Sequence, residues 1–210
     1  MAAGQSRSRR PHVRRASSQH VVAGPEPGES AETAYGTARA LVDRGRGADD
    51  PEVTRRLVGL ADEFGLDELA DLWADSPPVS LPGSLWRLYL LRAWVQRDPL
   101  GASRQFEAGR GRVLPREVVA GLAEPPGPDQ VRELADAVLT GVFEGDLDVA
   151  LDRAAAFCWV VAGGRAAQAD ELEHTDPPQA AELTQQGFAL VRTAEQLAAS
   201  ARRWRADELA

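Results

Sequence analysis

Residues 85–95 read LWRLYLLRAWV, a run of apolar and aromatic side chains interrupted by Arg87 and Arg92 alone. At 100° per residue on a helix, Trp86, Tyr89, Leu90, Leu91 and Trp94 point in nearly every direction, and a helix that is apolar all round is buried on most sides. The stretch reads as a central core helix about which the rest of the chain is arranged. Its two charges need carboxylates on adjacent helices, a path for their stems to solvent, or an anionic ligand. Arg87 and Arg92 are therefore the candidates for an anion pocket.

Upstream of it, residues 31–44 predict a helix that uses Tyr35, Ala38, Leu41 and Val42 and stops at Gly45. Asp50-Pro51-Glu52 then combines a capping side chain, a proline where no N–H is needed and an acid at the positive helix end. Val53, Leu57, Leu60, Ala61 and Phe64 share one face of the helix so begun, and Gly65 supplies its stop. Asp67 caps a short third helix to residue 74, and SPPVSLPG turns the chain into the core helix.

Downstream, Asp98-Pro99 repeats the cap-then-proline signal for a helix to residue 108, and a shorter helix is expected over 115–123. EPPGPD, residues 124–129, is the strongest breaker in the body of the chain and the candidate boundary between two halves. Helices over 131–143 and 147–162 follow, joined at Glu144-Gly145-Asp146, with Gly163-Gly164 either ending or bending the second. The last element spans 177–207, roughly 45 Å long at 1.5 Å per residue. In it Leu183, Leu190, Leu197 and Trp204 recur every seven residues, with Gly187, Ala194 and Ala201 between them. Large residues alternating with small ones make a helix-packing seam, closed either within the chain or across a homodimer.

No stretch shows the alternation of a strand. The expected fold is all-α, an irregular helical bundle of about seven or eight helices with a long C-terminal helix. Residues 29–210 form its helical domain. Residues 1–28 mix Arg, Ser, Gln, Gly and Pro with almost nothing to bury and are expected to be a disordered arm.

Charge is distributed unevenly. Of the net −8, the first 20 residues carry +5 from Arg7, Arg9, Arg10, Arg14 and Arg15, and the remaining 19 arginines against 32 acids leave −13 on the body. An acidic body does not attract nucleic acid, whereas a basic arm can, so those five arginines are the candidate nucleic-acid contacts. All the basic residues are arginine, and lysine, isoleucine and asparagine are absent, as codon choice in a GC-rich genome produces. The single cysteine, Cys158, gives no disulfide framework and fits a reducing cytoplasm. No apolar run approaches the roughly 18 residues of a membrane span, so a cytoplasmic protein with no membrane partner is expected.

Several constellations favour a structural reading. Residues 57–74 have the small residue and turn glycine of a helix-turn-helix. Asp71 nevertheless stands where an aliphatic belongs, and Asp62, Glu63, Asp67, Glu68 and Asp75 add charge that phosphates would repel. Asp67, Asp71 and Asp75, four residues apart, line one helix face. A metal site would need a second cluster opposite, so they are read as a solvated face or a docking patch for a basic partner. Glu171 and His174 have the spacing of half a di-iron site, but the other histidines, His12 and His20, fall in the arm. The GRG at 109–111 lacks the third glycine and preceding strand of a dinucleotide loop. No cofactor is expected.

Taken together, ADDPEVTRRLVGLAD (48–62), LPGSLWRLYLLRAWVQ (81–96) and ALDRAAAFCWVVAGG (150–164) resemble an uncharacterised family of small all-helical proteins from GC-rich bacteria. Some members carry the label DNA-directed RNA polymerase subunit beta. The resemblance covers residues 31–165 and implies a helical fold and a link to transcription. The residues themselves point first to a non-catalytic protein-interaction module of the cytoplasm, docking another protein through Asp67, Asp71 and Asp75 or through the heptad seam. The alternatives are a transcription-machinery accessory factor whose arginine arm touches nucleic acid, and a binder or enzyme for a small anion near Arg87 and Arg92.

Overall fold

The computed structural model describes residues 27–48, 50–112 and 127–209, and among these every regular element is an α-helix. In chain order they are α1 (Pro27–Arg46), α2 (Pro51–Val58), α3 (Leu60–Phe64), α4 (Leu66–Trp73), α5 (Leu81–Arg97), α6 (Pro99–Arg110), α7 (Pro128–Glu144), α8 (Leu147–Leu172) and α9 (Pro177–Arg205). The arm up to residue 26, the helix expected over 115–123 and the first half of the candidate boundary at 124–129 lie outside the described residues.

The proline caps work as local chemistry dictates. Asp50 accepts from the Glu52 N–H at 2.9 Å, Asp98 from Gly101 at 2.9 Å and Asp176 from Gln179 at 3.2 Å, each followed by proline at the first helical position. Three expectations are corrected. Helix α1 begins at Pro27, so residues 27 and 28 belong to the helical domain, because a proline at a helix start costs no hydrogen bond. The helix expected from residue 50 to 64 is broken at Gly59 into α2 and α3, which brings the count to nine among the described residues. Asp67 is not a cap: Gly65, at φ +98°, leads into α4 in a backbone conformation that favours glycine, and Asp67 sits in the first turn.

Helix α5 is central, with Leu85, Leu88, Tyr89 and Val95 fully or almost fully buried and contacts to α1, α4, α7 and α9. Around it one core cluster joins Trp73 of α4, Leu139 and Phe143 of α7, Leu151 of α8 and Leu197 of α9. The two sides of residues 124–129 thus share one core. A second cluster brings Val95, Phe106, Val131, Phe157 and Val161 together, with Phe106 stacked on Phe157 at 5.5 Å. Each such large apolar side chain contributes about 1.5–3 kcal/mol by leaving water.

Two long antiparallel elements, α8 and α9, form the most extensive helix pair, and α6 crosses α8 beside it. Gly163-Gly164 does not end α8, which runs on to Leu172. The glycines instead admit α6. A Cβ on Gly164 would overlap the Gln105 carbonyl, and one on Gly109 would overlap the Val160 carbonyl. The GRG segment is therefore a helix-crossing point.

Candidate functional site

The C-terminal seam is closed within the chain. Gly187, Ala194, Leu197 and Ala201 are buried against α8, and Leu190 and Trp204 pack on the core. Arg46 stands 4.8 Å over the Trp204 ring and donates to the Gly145 carbonyl at 3.2 Å, tying α1 to the end of α9. Leu183, nearest the start of α9, is half-buried. With the seam turned inward, the flank beside it is left facing out.

On that flank lies a groove of about 310 Å³ lined by Trp159, Ala162, Gly163, Ala166, Thr184, Gly187, Phe188 and Val191. Its floor is made of small residues of α8 and Gly187 of α9, and its rim is Phe188, which is 70% exposed, more than any other large apolar side chain of the described residues. Phe188 follows Gly187 and so stands about 100° off the seam. The seven-residue repeat does not include it; its signal in the sequence is an aromatic outside the repeat, flanked by Thr184, Gln185 and Arg192.

Arg92 and Arg87 part company. Arg92 is buried; its Nε lies 2.6 Å from Asp136 Oδ1 and its Nη1 lies 2.8 Å from Asp62 Oδ2, so it ties α3 and α7 to α5. The Nη1 contact to Asp62 is a charge contact too poorly aligned to count as a hydrogen bond. Burial disfavours the Arg92 charge, and the carboxylates of Asp136 and Asp62 outweigh it, leaving the pKa above the usual arginine value. Gln96 donates to the same Asp136 oxygen at 3.1 Å. A cleft of about 450 Å³ opens over this group, lined also by Arg55, Thr140 and Glu144, and its carboxylates already hold the cation that an anionic ligand would need.

Arg87 has no carboxylate within ion-pair distance among the described residues. Its Nε donates to Gln196 Oε1 at 2.9 Å and its Nη1 to the Gly83 carbonyl at 2.7 Å, which joins α5 to α9. Half-burial lowers its pKa. The two arginines do not converge on a shared pocket: Arg92 looks toward α3 and α7, and Arg87 toward α9.

The three aspartates are also separated. Asp67 and Asp71 lie on α4, which ends at Trp73, so Asp75 follows the helix instead of continuing its face. Asp71 and Asp75, both exposed, share a groove of about 590 Å³ with Ser30, Ala31, Tyr35 and Leu72; Asp67 lies outside it. Among the described residues no group of three His, Cys, Asp or Glu could hold a metal ion. Arg7, Arg9, Arg10, Arg14 and Arg15 lie outside the described residues.

Cys158 is fully buried on α8, and burial pushes its thiol up to about 12, with a smaller opposing effect from Arg165. It is held protonated and inert. The Tyr89 hydroxyl donates to the Leu57 carbonyl, and burial raises its pKa despite the Arg92 charge. No helix among the described residues is long and apolar enough to cross a membrane. Comparison with family models, curated proteins and solved structures finds no match to this chain.

Proposed function

We propose that the chain is a non-catalytic docking module of the cytoplasm, and that its α8–α9 groove receives an amphipathic helix of another protein. The observation that carries this reading is Phe188, exposed beside a groove whose walls are almost wholly apolar. Two parallel ridges with a small-residue floor accept a third helix by the same packing that joins α8 to α9, and the partner's apolar face covers Phe188. The reactive side chains point the same way. Cys158 is protonated in the core and Arg92 is held by two carboxylates, so neither is presented to a substrate.

The test uses the full chain and its Phe188→Glu variant as bait in native lysate treated with nuclease, with a photo-cross-linker at exposed Gln185 to map the contacted segment. The expected result is a protein retained by the wild type, cross-linked through an amphipathic helix, and bound at least about tenfold less by the variant, as loss of an aromatic anchor implies. Equal recovery by both baits overturns the reading. Self-association that Phe188→Glu abolishes moves it to a homodimer through α9. Retention of polymerase subunits that depends on nucleic acid and ignores Phe188→Glu moves it to the transcription accessory factor.

A further inference from the structure

The groove beneath the start of α1 is separate from the α8–α9 groove and differs in chemistry. Its walls combine two exposed carboxylates, Asp71 and Asp75, with the Tyr35 ring and the exposed Leu72 side chain. Neither aspartate forms an ion pair among the described residues. Arginine is the side chain that uses all of these at once: its planar fork matches a carboxylate, its guanidinium stacks on an aromatic face, and its stem covers apolar surface.

The chain supplies such a ligand itself. Arg7, Arg9, Arg10, Arg14 and Arg15 belong to a segment with no acid in its first 20 residues, and that segment joins the fold at Pro27, where α1 begins. Ser30, on the groove wall, is one helical turn inside α1, so the chain enters the fold at the groove's edge. The stretch between Arg15 and Pro27 spans up to about 40 Å when extended, far more than is needed. A tether of this kind holds its ligand at an effective concentration on the order of millimolar, enough for contacts that would be weak between separate molecules.

We propose that the N-terminal arm docks in cis into this groove, with Arg14 and Arg15 on the carboxylates of Asp71 and Asp75 and a guanidinium over Tyr35. The groove is then a receptor for the chain's own arginine segment, and the arm carries less free positive charge than its sequence states.

A spin label on Ser17→Cys of the full chain tests this, since buried Cys158 does not compete for the reagent. The readout is paramagnetic broadening of backbone amides at residues 72–76 in excess of that in a variant lacking both carboxylates, because a ten-residue tether alone keeps the label within roughly 20 Å of the groove. At low salt these amides broaden. In the Asp71→Asn/Asp75→Asn variant, whose circular dichroism matches the parent, the docked-to-free ratio falls on the order of fivefold, the yield of two exposed ion pairs. At 1 M salt, where the screening length is about 3 Å, the broadening also fades. Absence of broadening, or equal broadening in the variant, overturns the proposal. Broadening that appears when spin-labelled chains are mixed with separate isotope-labelled chains overturns docking in cis in favour of exchange between copies.

Discussion

The α8–α9 pair and the α2–α4 segment are held in opposite ways. Helices of 26 and 29 residues meet along a strip that includes buried glycine and alanine, and a third helix crosses at Gly109 and Gly164, where backbone lies against backbone. Helices of 8, 5 and 8 residues, by contrast, are too short to persist alone and hang on single anchors. Trp73 is fully buried, stacks on Tyr89 at 6.1 Å and donates from its indole nitrogen to Thr37 Oγ1 at 3.1 Å. Tyr89 donates to the Leu57 carbonyl at the end of α2, and Arg92 holds Asp62 of α3. A distributed interface tolerates loss of a side chain and fails on gain of one; an anchored segment does the reverse.

The largest effect should come from removing the anchor. Trp73→Ala empties the space between α1, α4 and α5, and truncation of a buried tryptophan costs about 3–5 kcal/mol, read as a lower urea midpoint. Hydrogen exchange locates the damage: amides of α4 should lose protection first, while those around Leu151–Val161 in α8 follow only the global change. Equal acceleration in both would show that the two regions open as one unit and would dissolve the contrast. Gly164→Ala is the matching probe of the other region. The added methyl overlaps the Gln105 carbonyl, which is backbone and cannot rotate away, and α6 must shift off α8. Overpacking of this kind costs about 1–3 kcal/mol, although alanine is the better helix former. An unchanged midpoint would mean that the crossing is loose.

The same contrast explains what the sequence disclosed. Helix class, the core stretch at residues 85–95 and the starts at Asp50 and Asp98 were legible because each rests on periodicity or on a cap within four residues. The break at Gly59 was not, since Leu57, Leu60, Ala61 and Phe64 continue one apolar face across it and no local signal separates α2 from α3. Gly163-Gly164 read as a stop or a bend because the crossing helix lies far back in the chain. For Arg92, carboxylate partners were foreseen as a type, but Asp136, 44 residues away, could not be named. In the acidic stripe α4 ends at Trp73, so Asp75 follows the helix, and two of the three aspartates meet in a groove with α1. Phe188 was legible in principle as the aromatic on the outer face of α9.

The smallest effect should also be the most discriminating, because its sign is opposite. Gly187 sits on the same helix pair as Gly164, yet a Cβ there would lie 3.6 Å from the Ala162 carbonyl oxygen and 3.8 Å from Arg165 Cβ, both ordinary contact distances. Nothing has to move, and the helix loses a residue that is unfavourable in its interior. Gly187→Ala should therefore raise stability, by up to about 1 kcal/mol, where Gly164→Ala lowers it. The substitution also begins to fill the floor of the groove beside Phe188. If stability rises while binding of the captured helix weakens, Gly187 is kept small for the partner and not for α8. If both are unchanged, the floor is not where the partner lies, and Phe188 acts from the rim alone.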